Sequence, residues 1–224
     1  MKMNYKGPHT MTYANLVLLA LLLFTIFFVM MFPPVVQGIL YRSCLTGILI
    51  AAFFCVDKKY HRYMQWFFGL SILLLWSNLL TANLVLNGLS KVLNICLYLI
   101  IAIRLVQQAA SSKTVNRLVI LQSVNGYLMI AMFYAIIIAL IMLVDHGAYH
   151  FVSAVNNTNE ILANFNQYLY YGFNAFTTVT YGDVMPVSPA AKSVSMAMGF
   201  TGQMYVAIII AMLVGKYVGR DKQE

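Results

Sequence analysis

The sequence predicts an all-α membrane protein of six transmembrane helices, with a short re-entrant helix and an extended loop between the fifth and sixth. Three observations carry that reading. Of 224 residues, 62% are hydrophobic and only 9% charged, far from the balance of a soluble domain. Six apolar runs are each long enough for a bilayer, which takes about 20 residues at about 1.5 Å apiece. The fourteen lysines and arginines fall mostly in the short connections between those runs.

The first run, 13–32, stops at Pro33-Pro34, because proline cannot continue a helix without losing a hydrogen bond. It is too long for a leader peptide and no small-residue cleavage site follows it, so it is expected to remain as a membrane helix. The second run, 35–56, ends in Asp57-Lys58-Lys59-Tyr60-His61-Arg62. That loop can meet anionic lipid headgroups, although fixing orientation alone accounts for it. The third run, 64–86, is expected to turn at Asn87-Gly88 into the fourth, 89–108. Ser111-Ser112-Lys113-Thr114 divide the fourth from the fifth, 117–144, and the sixth spans 190–218. Cys44, Cys55 and Cys96 lie inside apolar runs without CxxC spacing and read as small packing residues. Ser71, Ser77, Asn78, Thr81, Asn83 and Asn94 read as hydrogen-bond links between neighbouring helices.

Orientation follows from the cations. With both termini inside, Lys2, Lys6, Lys58, Lys59, Arg62, Arg104, Lys113, Arg117, Lys216, Arg220 and Lys222 are cytoplasmic, and only Arg42, Lys91 and Lys192 face the outer side. The excess of lysine and arginine on one side fixes both ends in the cytoplasm, and explains the net charge of +8 better than nucleic acid does. Residues 145–163 are then a polar outer loop, most hydrophilic at Asn156, Asn157, Thr158, Asn159 and Glu160. Residues 164–177 return to an apolar and aromatic pattern too short to cross a membrane, which reads as a re-entrant helix. The extended stretch after it is tolerated at membrane depth only where protein buries it or it lines a wet cavity.

That stretch carries the most informative residues. Thr177-Thr178-Val179-Thr180-Tyr181-Gly182-Asp183 resembles the potassium-channel selectivity-filter signature Thr-Thr-Val-Gly-Tyr-Gly-Asp, with one substitution. The chain therefore resembles the tetrameric potassium-channel (voltage-gated-like ion channel) superfamily, and within it the bacterial-type six-helix channels without a full voltage sensor. The likeness covers roughly 165–215. It implies a four-helix peripheral domain at 1–112, charge-poor and sensor-like only in position, and a pore domain at 113–224 with outer helix, pore helix, filter and inner helix. It implies a passive, potassium-selective cation channel built as a homotetramer in a lipid bilayer. The cell membrane is then a prokaryotic inner membrane, and potassium is the permeant ligand, with no other cofactor, no transition-metal site and no nucleic-acid partner expected.

The same resemblance assigns roles. Thr178, Val179, Thr180, Tyr181 and Gly182 bind ions through backbone carbonyls, Thr178 also through its hydroxyl. Tyr170, Tyr171, Asn174, Thr177 and Asp183 support the filter, the two tyrosines as an aromatic cuff. Pro186 matches the proline of the following turn. Gly202 matches a hinge glycine, with Gly199 on nearly the same face, and glycine there permits either bending or close packing. Thr180 replaces a glycine. A β-branched residue at positive φ is strained, so the strand either carries that strain or rotates a peptide and weakens a ring of ligands.

Two further features are weighed on their residues. A voltage sensor needs a cation at every third position, and the fourth helix offers only Lys91 and Arg104, which read as snorkelling anchors. Asp145, His146 and His150 cluster at the outer end of the fifth helix, where a histidine pair four residues apart can bind metal, sense pH or do neither. No catalytic set is visible, so no enzyme activity is expected. The alternatives are a weakly selective monovalent cation channel, because of Thr180, or a potassium-uptake transporter subunit. A transporter usually shows inverted repeats and paired broken helices, and only one filter-like element is present here.

Overall fold

The computed structural model describes residues 8–55, 61–77, 84–112, 115–151 and 164–220. The calls on Lys2, Lys6, Asp57, Lys58, Lys59, Tyr60, Asn78, Thr81, Asn83, Lys113, Thr114, Lys222 and the 152–163 stretch lie outside them. Helix α1 (Pro8–Leu23) runs on through a π turn at Phe24–Phe28 and a 3-10 turn at Val29–Met31. The Thr25 hydroxyl donates to the Leu21 carbonyl at 2.7 Å, inside this irregular stretch. Phe32 turns extended (φ −80°, ψ 158°), as a residue before proline must. The carbonyls left free there are met by the buried Gln37, which donates to Phe32 O at 2.7 Å and Met30 O at 3.2 Å.

Helix α2 (Pro34–Cys55) starts with a proline in its first turn, where the missing amide hydrogen costs nothing. Helix α3 (His61–Ser77) has 17 described residues, about 25 Å of helix, and its apolar part is only Trp66–Trp76. Its polar start, with His61, Arg62 and Gln65 among the first five residues, shortens the apolar stretch. Five helices among the described residues are long and apolar enough to cross a membrane, and α3 is not one of them.

Helix α4 (Leu84–Ser111) corrects two expectations. Asn87-Gly88 is not a turn but lies in its first turns, because the apolar residues on either side favour one continuous helix over the turn preference of two residues. The cost of a helical glycine is only about 1 kcal/mol. Lys91 consequently sits two turns inside the helix, and its ammonium is buried without a hydrogen-bond partner among the described residues instead of snorkelling. Arg104 is half-buried and donates to Gln107 at 3.3 Å. Cys44 and Cys55 are buried as expected, whereas Cys96 is exposed on α4 within the chain.

Helix α5 (Arg117–Val144) has the bounds its sequence predicts, starting at Asn116, whose side chain accepts from the Val119 amide at 2.9 Å. It is the centre of the molecule, packed against α1, α4, α6 (Phe165–Phe176) and α7 (Pro189–Arg220). Met129, Met132, Ala135 and Ile138 on it are fully buried. Polar links bind the bundle where apolar packing gives no register. Asn125 donates to the carbonyl of Asn15 at 2.9 Å, and Ser71 donates to Asn94 at 2.8 Å between α3 and α4. At the opposite extreme, only 17% of the membrane-length part of α7 is buried within the chain, against 56% for α5. Strands β1 (Tyr149–Phe151) and β2 (Val184–Pro186) form a two-stranded antiparallel ribbon with Tyr149 opposite Pro186 and Phe151 opposite Val184.

Candidate pore site

The site is built on α6. Its buried residues (Phe165, Tyr168, Leu169, Tyr171, Gly172, Ala175 and Phe176) recur at three and four, which puts one stripe of a short helix against the bundle. Gly172 lets the helix come close, since a side chain there would meet Ala135 N at 3.4 Å and Ile138 Cδ1 at 3.3 Å. Phe176 anchors the end of α6 against Tyr127 of α5, ring centroids 4.8 Å apart.

At its C-terminus the helix unwinds in steps. Thr177 still donates to Phe173 O at 2.9 Å and Thr178 to Ala175 O at 3.2 Å. The Asn174 carbonyl then receives both Val179 N at 3.0 Å and Thr180 N at 3.4 Å. From there the backbone alternates in hand. Thr178 has φ +61°, Thr180 +33° and Gly182 +82°, while Val179 and Tyr181 between them are negative. In a β-strand successive carbonyls point to opposite sides; alternation of hand instead turns them toward one side. Two of the three left-handed positions are threonines, so the strain of β-branched residues at positive φ is carried, about 1–2 kcal/mol each. Every residue from Thr178 to Asp183 is exposed in the single chain.

The end of the segment beyond Gly182 is fixed by side chain and backbone. The Tyr170 hydroxyl donates to Asp183 Oδ2 at 2.7 Å, and the carboxylate holding that proton raises the phenol above its ordinary range. The Asn174 side chain also reaches the Tyr170 hydroxyl and opposes that rise. Just beyond Asp183, β2 is zipped to β1. Tyr171 departs from the cuff expectation within this chain: its hydroxyl meets Ser195 Oγ at 2.6 Å. Ser195 gives its own proton to Ala191 O, so Tyr171 donates and ties α6 to α7. The reason is helical geometry, since adjacent residues on α6 point about 100° apart and cannot both face one strand.

The end at Thr178 rests on α7. A side chain at Gly202 would collide with the Phe176 carbonyl, so glycine is required by close approach alone. A side chain at Gly199 would meet Thr178 Cγ2 at 3.7 Å, an ordinary contact, so close approach does not require glycine there. Gln203 donates to Thr178 Oγ1 at 2.8 Å, a contact missed in the sequence although a lone amide after Gly202 in an apolar run was its signal. The histidines are not a helical pair. Helix α5 ends at Val144, Asp145 accepts from Gly147 N at 3.0 Å in a tight turn, and His150 is on β1. Among the described residues no three His, Cys, Asp or Glu side chains form a metal-binding group.

Residues 136–218, from the middle of α5 through α7, match the Ion_trans_2 family model, described as ion channel. The match supports an ion channel. No curated protein and no solved structure matches the chain. The ion-channel match begins within α5 and contains α6, the alternating segment and nearly all of α7, while α1–α4 lie outside it.

Proposed function

We propose that this chain is one subunit of a homotetrameric, potassium-selective channel, with α6 as re-entrant pore helix, 178–182 as filter and α7 as inner helix. The observation that carries the proposal is the alternating φ from Thr178 to Gly182, directly after a short helix and inside the ion-channel match. Such a backbone offers a column of carbonyls to a dehydrated cation, and four copies about a central axis supply the rings. The exposure of this segment and of α7 fits a surface completed by other copies. The peripheral domain at 1–112, the cytoplasmic termini and the prokaryotic inner membrane belong to the same reading. So does a hinge at Gly202, although close packing against Phe176 is the role its surroundings favour.

Purified protein in liposomes should pass potassium faster than sodium and should behave in light scattering as four chains of 25.2 kDa. Absence of cation flux at every voltage and pH would defeat the reading. The φ of +33° at Thr180 favours one second reading, a weakly selective monovalent channel, which comparable potassium and sodium permeabilities would establish.

A further inference from the structure

We infer that Gln203 is a positioning residue for the innermost cation site, acting through the hydroxyl of Thr178; the inference rests on the channel reading. A threonine hydroxyl has one proton and two lone pairs. Thr178 Oγ1 gives its proton to Thr177 O at 2.7 Å. The Gln203 group 2.8 Å away must therefore be the amide NH2, which takes one lone pair. A single lone pair is left for an ion, and its direction is set from two sides. Without Gln203 the second lone pair is open and water competes for it, so the direction of the oxygen is set from one side only.

The site joins two elements 25 residues apart in sequence, and the donor sits on the residue after Gly202. Its orientation therefore depends on where α7 lies: a shift of the inner helix that lengthens the 2.8 Å bond changes the ligand without touching the carbonyls. Gln203 thus sets the quality of the inner mouth rather than the presence of a pore.

The test is a mutant cycle on the full chain in liposomes and planar bilayers, using Gln203→Leu, Thr178→Val and the double variant, with potassium and sodium as probes. Potassium-dependent thermal stabilisation of the purified proteins is read in parallel, because it needs no conduction. Gln203→Leu should lower the potassium-to-sodium permeability ratio and the apparent potassium affinity about threefold to tenfold, the worth of one hydrogen bond. In the Thr178→Val background the same substitution should change neither. Equal effects of Gln203→Leu in both backgrounds would assign it a purely structural role and overturn the inference. So would an unchanged Gln203→Leu protein beside a conducting parent. A parent chain without flux would instead overturn the channel reading, and this inference with it.

Discussion

Thr180 holds a φ of +33°, short of the left-handed minimum near +57°, so its Cβ is crowded and its backbone is off the well. Thr180→Gly should relieve about 1–2 kcal/mol and raise potassium-over-sodium discrimination or lengthen openings. Thr180→Val, which keeps the branch, should behave as the parent, and reversal potentials in mixed ions measure both. If Thr180→Gly abolishes selectivity and Thr180→Val fails as well, the hydroxyl is an ion ligand in a different geometry. The strain at Thr180 was legible, because a glycine is missing from a recognisable pattern. That at Thr178 was not, because threonine stands at that position in the pattern itself. Gly202 gives a second residue-scale prediction. Gly202→Ala drives a methyl into the Phe176 carbonyl and should cost about 1–3 kcal/mol in assembly stability, read as a lower melting temperature. Gly215→Ala, on the same helix with open space around it, should be neutral or slightly stabilising.

At the scale of elements, an exposed side-chain bond, Tyr170 to Asp183, ties α6 to the far end of the alternating segment. Tyr170→Phe should leave folding nearly intact and shorten the conducting periods in single-channel records. A variant with unchanged open times would show that β1 and β2 suffice. Helix α4 carries Lys91 and Arg104, and the Lys91 ammonium is buried without a hydrogen-bond partner among the described residues. Each elementary charge moved through 100 mV is worth about 2.3 kcal/mol, so open probability should vary shallowly with voltage. A steep curve abolished by Arg104→Gln would contradict that. The bounds of α5 were readable because a capping asparagine and a long apolar run agree there, and those of α6 from its short apolar and aromatic pattern alone. The start of α4 was not, since a turn-favouring Asn-Gly pair sits inside an otherwise helical run and propagation overrides it.

For the whole molecule, the informative contact is Lys216. Near the inner end of α7 its ammonium donates to Ala110 O at 2.8 Å and Ala109 O at 3.1 Å, the last carbonyls of α4. A cation at a helix C-terminus stabilises by about 0.3–1 kcal/mol, so outward movement of α7 has to break this tie. Lys216→Met should raise open probability in single-channel records, and no change would show that the two helices move independently. Such ties were invisible in sequence, where Lys216 only marked a cytoplasmic end. Long-range pairs such as Asn125 with Asn15 were equally hidden, because no local pattern reports which helices become neighbours.

The ribbon of β1 and β2 has a mechanical meaning. The stretch from Thr178 to Asp183 behaves as a string fastened at both ends, by the Asn174 carbonyl at one and by backbone pairing with Tyr149–Phe151 at the other. Its pitch depends on tension, and slackening either peg detunes every carbonyl between them. In the proposed channel, damage to β1 then sounds the same fault as damage at Asn174.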